Sequence, residues 1–160
     1  MPEAIRIPVK SKIILFLGNK KLFKVLFWVW ALLIFGVSSL PNIPQPDLII
    51  HKERIRLDYF FHFCEYFLLA MLFLFWKTDP AFNIKPGRVC LFLFCGLLFA
   101  IVDELHQHFI PGRTVNPIDA VSNGLGLILG LFITYFVVLK LFKNGNNTGI
   151  KPSHHATFNR

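Results

Sequence analysis

The sequence predicts an all-α polytopic membrane protein with four transmembrane helices and short connections. Three observations carry that expectation. Of the 160 residues, 54% are hydrophobic, with 19 Phe and a mean hydropathy of +0.56, whereas a soluble domain of this length is usually less apolar. The apolar residues come in blocks near membrane-spanning length, not at a period that would leave each helix one polar face. The stretches between the blocks are short and rich in Pro, Lys and Arg. One domain is all that such a length accommodates.

Residues 1–21 form a basic cytoplasmic or interfacial N-terminus. Its apolar patch at 13–17 is too short to span and sits among lysines, which suits a membrane surface. A membrane domain covers 22–140, with spans expected at 22–40, 57–76, 89–109 and 118–139. Each is close to the roughly 20 residues that a bilayer core needs at a rise of about 1.5 Å per residue. Prolines punctuate every connection: Pro41, Pro44 and Pro46, then Pro80 and Pro86, then Pro111 and Pro117. The first block also has a rival reading as a cleaved signal peptide, with Lys20, Lys21 and Lys24 before an apolar run ending in Val37, Ser38 and Ser39. That run is long for a signal sequence, and no stretch resembling a soluble mature domain follows it. Residues 141–160 form a polar cytoplasmic tail, where His154 and His155 are expected to have no role.

With four spans, both termini share one side, and the basic residues sort by compartment. Arg6, Lys10, Lys12, Lys20, Lys21 and Lys24 precede the first span, Lys77, Lys85 and Arg88 lie in the middle connection, and Lys140, Lys143, Lys151 and Arg160 follow the last. Only Lys52, Arg54, Arg56 and Arg113 occupy the other two connections. The positive-inside rule therefore puts both termini in the cytoplasm and those two connections outside it. The net charge of +8 does not signal nucleic acid, because these residues flank apolar blocks and form no basic stripe interleaved with aromatics. Cys64, Cys90 and Cys95 all fall in apolar segments and lack CxxC spacing, so packing is their expected role.

The third block carries the chemistry. Only 14 residues separate Arg88 from Asp103, about 21 Å of helix against a core of about 30 Å, so either the helix continues through Asp103, Glu104 and Gln107 or the bilayer thins there. Carboxylates at such depth cost about 2.5–3.5 kcal/mol each at the bilayer centre and less near the interface, which drives them toward a bundle interior and toward partners. On the fourth helix, Asp119, Asn123, Gly126 and Gly130 step by 4, 3 and 4 and share one stripe, the glycines allowing close helix approach. The second helix opens with Asp58, His62, Glu65 and Tyr66 on one face. By the topology above, all three sets lie at the extracytoplasmic surface. Arg113, in the short connection between the third and fourth helices, is expected to fork onto Asp103, Glu104, Asp119 or an anionic ligand. The convergence reads as a functional pocket, with a purely structural polar network as the alternative.

A metal site is a further alternative, since His62, His106 and His108 lie near these carboxylates. The spacing is not HExxH, and His106 and His108 diverge by about 200° on a helix. The sequence thus assigns no metal ligands, and no cofactor is expected.

These residues and spacings resemble the VanZ-like family over about 38–130. The match runs through Ser38, Ser39 and Pro41, then Asp58, His62, Phe63 and Tyr66, then Asp103, Glu104, Gln107, Phe109, Pro111, Gly112 and Arg113, and finally Asp119, Asn123, Gly126 and Gly130. Tyr59 departs from it, standing where the family commonly has Lys, and His106 and His108 occupy positions that the pattern leaves free. The resemblance implies a bacterial cytoplasmic-membrane protein related to one that confers low-level teicoplanin resistance, and a general role in the cell envelope.

Two functions fit. An enzyme acting on a lipid headgroup or lipid-linked wall precursor would use Asp103 or Glu104 as general base and His62 with Glu65 as acid or orienting pair. In it, Arg113 clamps an anion and Gln107 and Asn123 position the ligand, with Asp58, Tyr66 and Asp119 completing the binding set. A non-catalytic binder would instead shield a lipid-anchored precursor or exclude a lipophilic glycopeptide. A small transporter is a third reading with little support, because no inverted repeat is visible; a homo-oligomer would enlarge the bundle.

Overall fold

The structure is a computed structural model, and it describes residues 15–42, 47–50, 53–78, 83–113 and 116–146, with side chains omitted for 47–56 and 138–146. The basic residues Arg6, Lys10 and Lys12, then Pro44, Pro46, Lys52 and Pro80, and the tail beyond residue 146 lie outside the described residues.

Among the described residues, four helices are long and apolar enough to cross a membrane, as expected. The first, α1, spans Lys20–Ser38. Asn19 starts it, its side chain accepting the Leu22 N–H at 3.1 Å, a standard N-cap. Its buried residues Phe23, Phe27, Ile34 and Ser38 fall on one stripe, while Trp28, Leu32 and Leu33 face outward. Outward-facing apolar residues are what a lipid solvent requires. The short patch ahead of α1 is helical at 15–17.

Between α1 and the next helix lies an antiparallel strand pair that the sequence reading did not anticipate. Strand β1 (Asp47–Ile50) pairs with β2 (Glu53–Arg56), with Asp47 opposite Arg56 and Ile50 opposite Glu53. Each strand has four residues, too few for a period-2 pattern to stand out from a polar connection. The all-helical class of the membrane domain is unaffected.

Helix α2 (Asp58–Lys77) has Asp in its first turn and Lys in its last, matching the helix dipole. It is the most buried of the four. Helix α3 (Pro86–Gln107) begins with Pro at a position whose N–H has no intrahelical partner, and it continues through Asp103, Glu104 and Gln107, the first of the two expected alternatives. Helix α4 (Pro117–Asn146) follows Asn116, whose side chain accepts the Ile118 N–H at 3.1 Å. The backbone of α4 stays helical to Asn146, past the expected span end.

The most extensive helix contact is between α2 and α4, and the two glycines explain it. A Cβ on Gly126 would collide with the Phe63 carbonyl oxygen, and one on Gly130 would lie 2.6 Å from the Phe67 carbonyl oxygen. Only Gly permits that approach. At the end of the bundle where α1 begins and α2 finishes, aromatic rings fill the core, with Phe73 stacked on Phe92 at 3.9 Å and Phe27 packed against both. Lys20 Nζ ties that end together by donating to Phe75 O and Thr78 Oγ1, both at 3.0 Å. An apolar groove of about 420 Å³ opens nearby, lined by Leu74, Val89, Leu93, Leu131 and Phe132 among others.

Candidate functional site

The polar residues gather at the opposite end, where α1 and α3 finish and α2 and α4 begin. The two connections at this end dock on each other. Asn42 N–H donates to Pro111 O at 3.2 Å, and Asn42 and Gly112 both have positive φ, 53° and 78°. A Cβ at Gly112 would meet Asn42 Oδ1, so Gly is required there for space as well as for backbone conformation. This clasp holds the ends of α1 and α3 against the start of α4.

One group of side chains joins α1 to α3. Ser38 Oγ donates to Asp103 Oδ2 at 2.8 Å, and Gln107 Nε2 reaches both Ser38 Oγ and Asp103 Oδ2 at 3.4 Å. All three residues are buried, Asp103 completely. On the adjacent face, Ser39 Oγ lies 3.0 Å from His106 Nε2, and the His106 ring stacks on Phe35. His108 is exposed, its ring edge-on to Phe109.

A second group joins α2, α3 and α4. His62, Glu104 and Asp119 are all buried and bring one donor atom each to within 4.8 Å of one another. Glu65 Oε2 lies 3.8 Å from His62 Nδ1. Tyr66 and Asn123 are fully buried beside them. Several polar atoms here lack a well-formed hydrogen bond to a described group: Tyr66 Oη, Asp103 Oδ1, both Glu104 oxygens and both amide atoms of Asn123. The Asn116 backbone N–H faces the Glu104 carboxylate. Buried polar groups are nearly always partnered, so such a concentration is unusual.

Arg113 takes a different position from the one anticipated. Its guanidinium donates to Val37 O at 3.0 Å and Leu40 O at 3.4 Å, closing the C-terminus of α1. Glu65, Asp103 and Glu104 remain within its electrostatic reach. Asp58 sits at the rim, half-buried, with Oδ1 accepting the Tyr59 N–H at 3.1 Å.

A family model described as VanZ/LLP1 matches residues 22–140. The chain belongs to the VanZ/LLP1 family. No curated protein and no solved structure gives a match. The matched segment of this VanZ/LLP1 protein contains every residue of both groups.

Sequence reasoning missed three members of the site. Ser38 was part of the family resemblance but was not assigned to the cluster, although a serine pair ending a 19-residue apolar helix is a visible signal. Trp30 Nε1 donates to the Glu65 backbone oxygen at 2.9 Å, locking α1 to α2 just below the cluster. Asn116 caps α4 and also donates to Tyr59 Oη at 3.1 Å, which gives Tyr59 a partner in this VanZ/LLP1 chain. Neither partner could be read from one-dimensional spacing.

Proposed function

We propose that this VanZ/LLP1 protein resides in a bacterial cytoplasmic membrane with both termini in the cytoplasm. In this reading, its extracytoplasmic polar pocket takes a phosphate-bearing lipid headgroup or lipid-linked envelope precursor. The observation that carries the proposal is the set of buried polar atoms at one end of the bundle, on Tyr66, Asp103, Glu104 and Asn123, that lack a well-formed hydrogen bond to a described group. In an apolar solvent such atoms are costly unless a ligand completes them.

The geometry sharpens the expected roles. Asp103 is held through Oδ2 by Ser38 and Gln107, so it orients the site. Glu104, faced by the Asn116 backbone N–H but held by no described side chain in a well-formed hydrogen bond, is the better general base, with His62 and Glu65 as its acid or relay pair. Arg113 supplies positive charge at the rim, and Asn123 and Gln107 position the ligand. Asp58, Tyr66 and Asp119 complete the wall.

Mass spectrometry of lipids and lipid-linked precursors from cells expressing wild type or Glu104→Gln tests this reading. An altered headgroup or precursor pool with wild type only is expected; identical profiles at equal expression would remove the catalytic role. The 2.8 Å Ser38–Asp103 bond, which ties up one carboxylate oxygen, favours a second reading, binding without turnover, which would shield a precursor or exclude a lipophilic glycopeptide. Such shielding would connect to teicoplanin, which carries an acyl chain, and not to vancomycin, which does not. A null Glu104→Gln variant with normal ligand binding would refute it.

A further inference from the structure

We propose that His62, Glu104 and Asp119 form a binding site for one divalent transition-metal ion of the zinc or manganese class. The three residues come from α2, α3 and α4 and are brought together only by the fold: they are far apart in sequence and match no ligand-spacing motif. Their donor atoms lie within 4.8 Å of one another. Ligands about 2.0–2.2 Å from a tetrahedral zinc sit somewhat closer together than that, so small side-chain rotations bring them to bonding distance.

Charge and burial argue for a cation. His62, Glu104 and Asp119 are 9%, 4% and 3% exposed, and a carboxylate buried in an apolar surround, as Glu104 is, is stabilised by a positive charge beside it. The Arg113 guanidinium is engaged with Val37 O and Leu40 O at the end of α1. Neither oxygen of Glu104 makes a well-formed hydrogen bond to a described group, and one turn along α4 from Asp119 the fully buried Asn123 leaves both amide atoms unpartnered. Those atoms could take a water bound to the ion.

The donor chemistry narrows the choice. One imidazole with two carboxylates suits zinc or manganese better than magnesium, which prefers oxygen alone, or copper(I), which prefers sulfur. The cysteines take no part: Cys90 and Cys95 are exposed and Cys64 is half-buried. Three protein ligands leave a coordination position open, the pattern of catalytic sites and not of closed structural ones. Glu65, 3.8 Å from His62 Nδ1, stands where a carboxylate fixes a ligand imidazole's orientation. His106 and His108 lie outside the set.

The role of the ion rests on the reading above: with an ion bound, Glu104 and His62 serve as its ligands and not as base and acid, the base's part falls to Asp103, and the ion would contribute polarisation of a phosphate oxygen. Binding itself is measured without lipid. The full chain, purified without a polyhistidine tag, is stripped with chelator in detergent, re-equilibrated with Zn²⁺ or Mn²⁺ alone, desalted and assayed by elemental mass spectrometry and calorimetry. One equivalent of ion per chain is expected for wild type. His62→Ala, Glu104→Gln and Asp119→Asn should each weaken binding by at least about tenfold, as should Glu65→Gln, on the scale seen when a ligand's supporting carboxylate is lost. His106→Ala and His108→Ala should bind as wild type, and thermal unfolding and gel filtration identify any variant that fails to fold. Failure of the wild type to retain either ion, or retention unchanged in Glu104→Gln and Asp119→Asn, overturns the proposal. Retention of the ion together with unchanged lipid profiles would keep the metal site and remove the lipid chemistry.

Discussion

Ser38, the last residue of α1, donates a 2.8 Å hydrogen bond to Asp103 of α3. These two helices otherwise touch little. Removing the hydroxyl with Ser38→Ala leaves Asp103 Oδ2 only the 3.4 Å contact from Gln107. Hydrogen bonds between membrane helices average only about 0.6 kcal/mol. Asp103 is fully buried, however, and an abandoned buried polar group costs about 1–3 kcal/mol. We expect Ser38→Ala to lower stability by about 1–2 kcal/mol, read as a drop in Tm in detergent. A change indistinguishable from Ser39→Ala, whose residue is half-buried, would show that the bond contributes nothing special.

The α2–α4 contact makes a sharper packing prediction. At Gly130, a methyl group would press on the Phe67 backbone, which cannot rotate away. At Gly124, it would meet only Leu97 Cδ2 at 3.3 Å, the end of a flexible side chain. Gly130→Ala should therefore destabilise by about 1–3 kcal/mol, the usual cost of overpacking, and Gly124→Ala by much less. Equal unfolding temperatures for the two variants would contradict the close approach.

Arg113 separates charge from shape. Lys at this position keeps the charge but offers one nitrogen in place of the two that reach Leu40 O and Val37 O separately. Arg113→Lys should thus lower the thermal stability of the α1 end while retaining part of any anion binding, whereas Arg113→Gln should lose both. Unchanged stability in Arg113→Lys would mean that the carbonyl contacts do not hold α1.

Topology is testable on its own. Alkaline phosphatase fused after α4 should be inactive and a fluorescent protein fused there should glow, as the basic-residue distribution requires. The opposite pair of signals would move the polar cluster to the cytoplasmic face.

The helices and their polar faces were legible because both follow from composition and period. The blocks had spanning length, the prolines bounded them, and steps of three and four placed His62, Glu104 and Asp119 at one end of the bundle. Arg113 was not legible in the same way: a carbonyl at a helix end is an acceptor on every residue, so nothing in the sequence marks Val37 and Leu40 as its partners. The strand pair β1–β2 escaped for want of length. Sequence spacing set His62 apart from His106 and His108 but did not say where each would land: the fold sends His106 to Ser39 and Phe35 and leaves His62 beside two carboxylates from other helices. That separation depends on helix rotation, which period alone does not fix.

The central claim is that the polar cluster holds a phosphate-bearing lipid, and native mass spectrometry of the purified protein tests it most directly. Wild type is predicted to carry a phospholipid or lipid-linked phosphate that Glu104→Gln and Arg113→Gln lose and that Phe94→Ala, on the exposed face of α3, retains. The same lipids, in the same amounts, on all four proteins would contradict it.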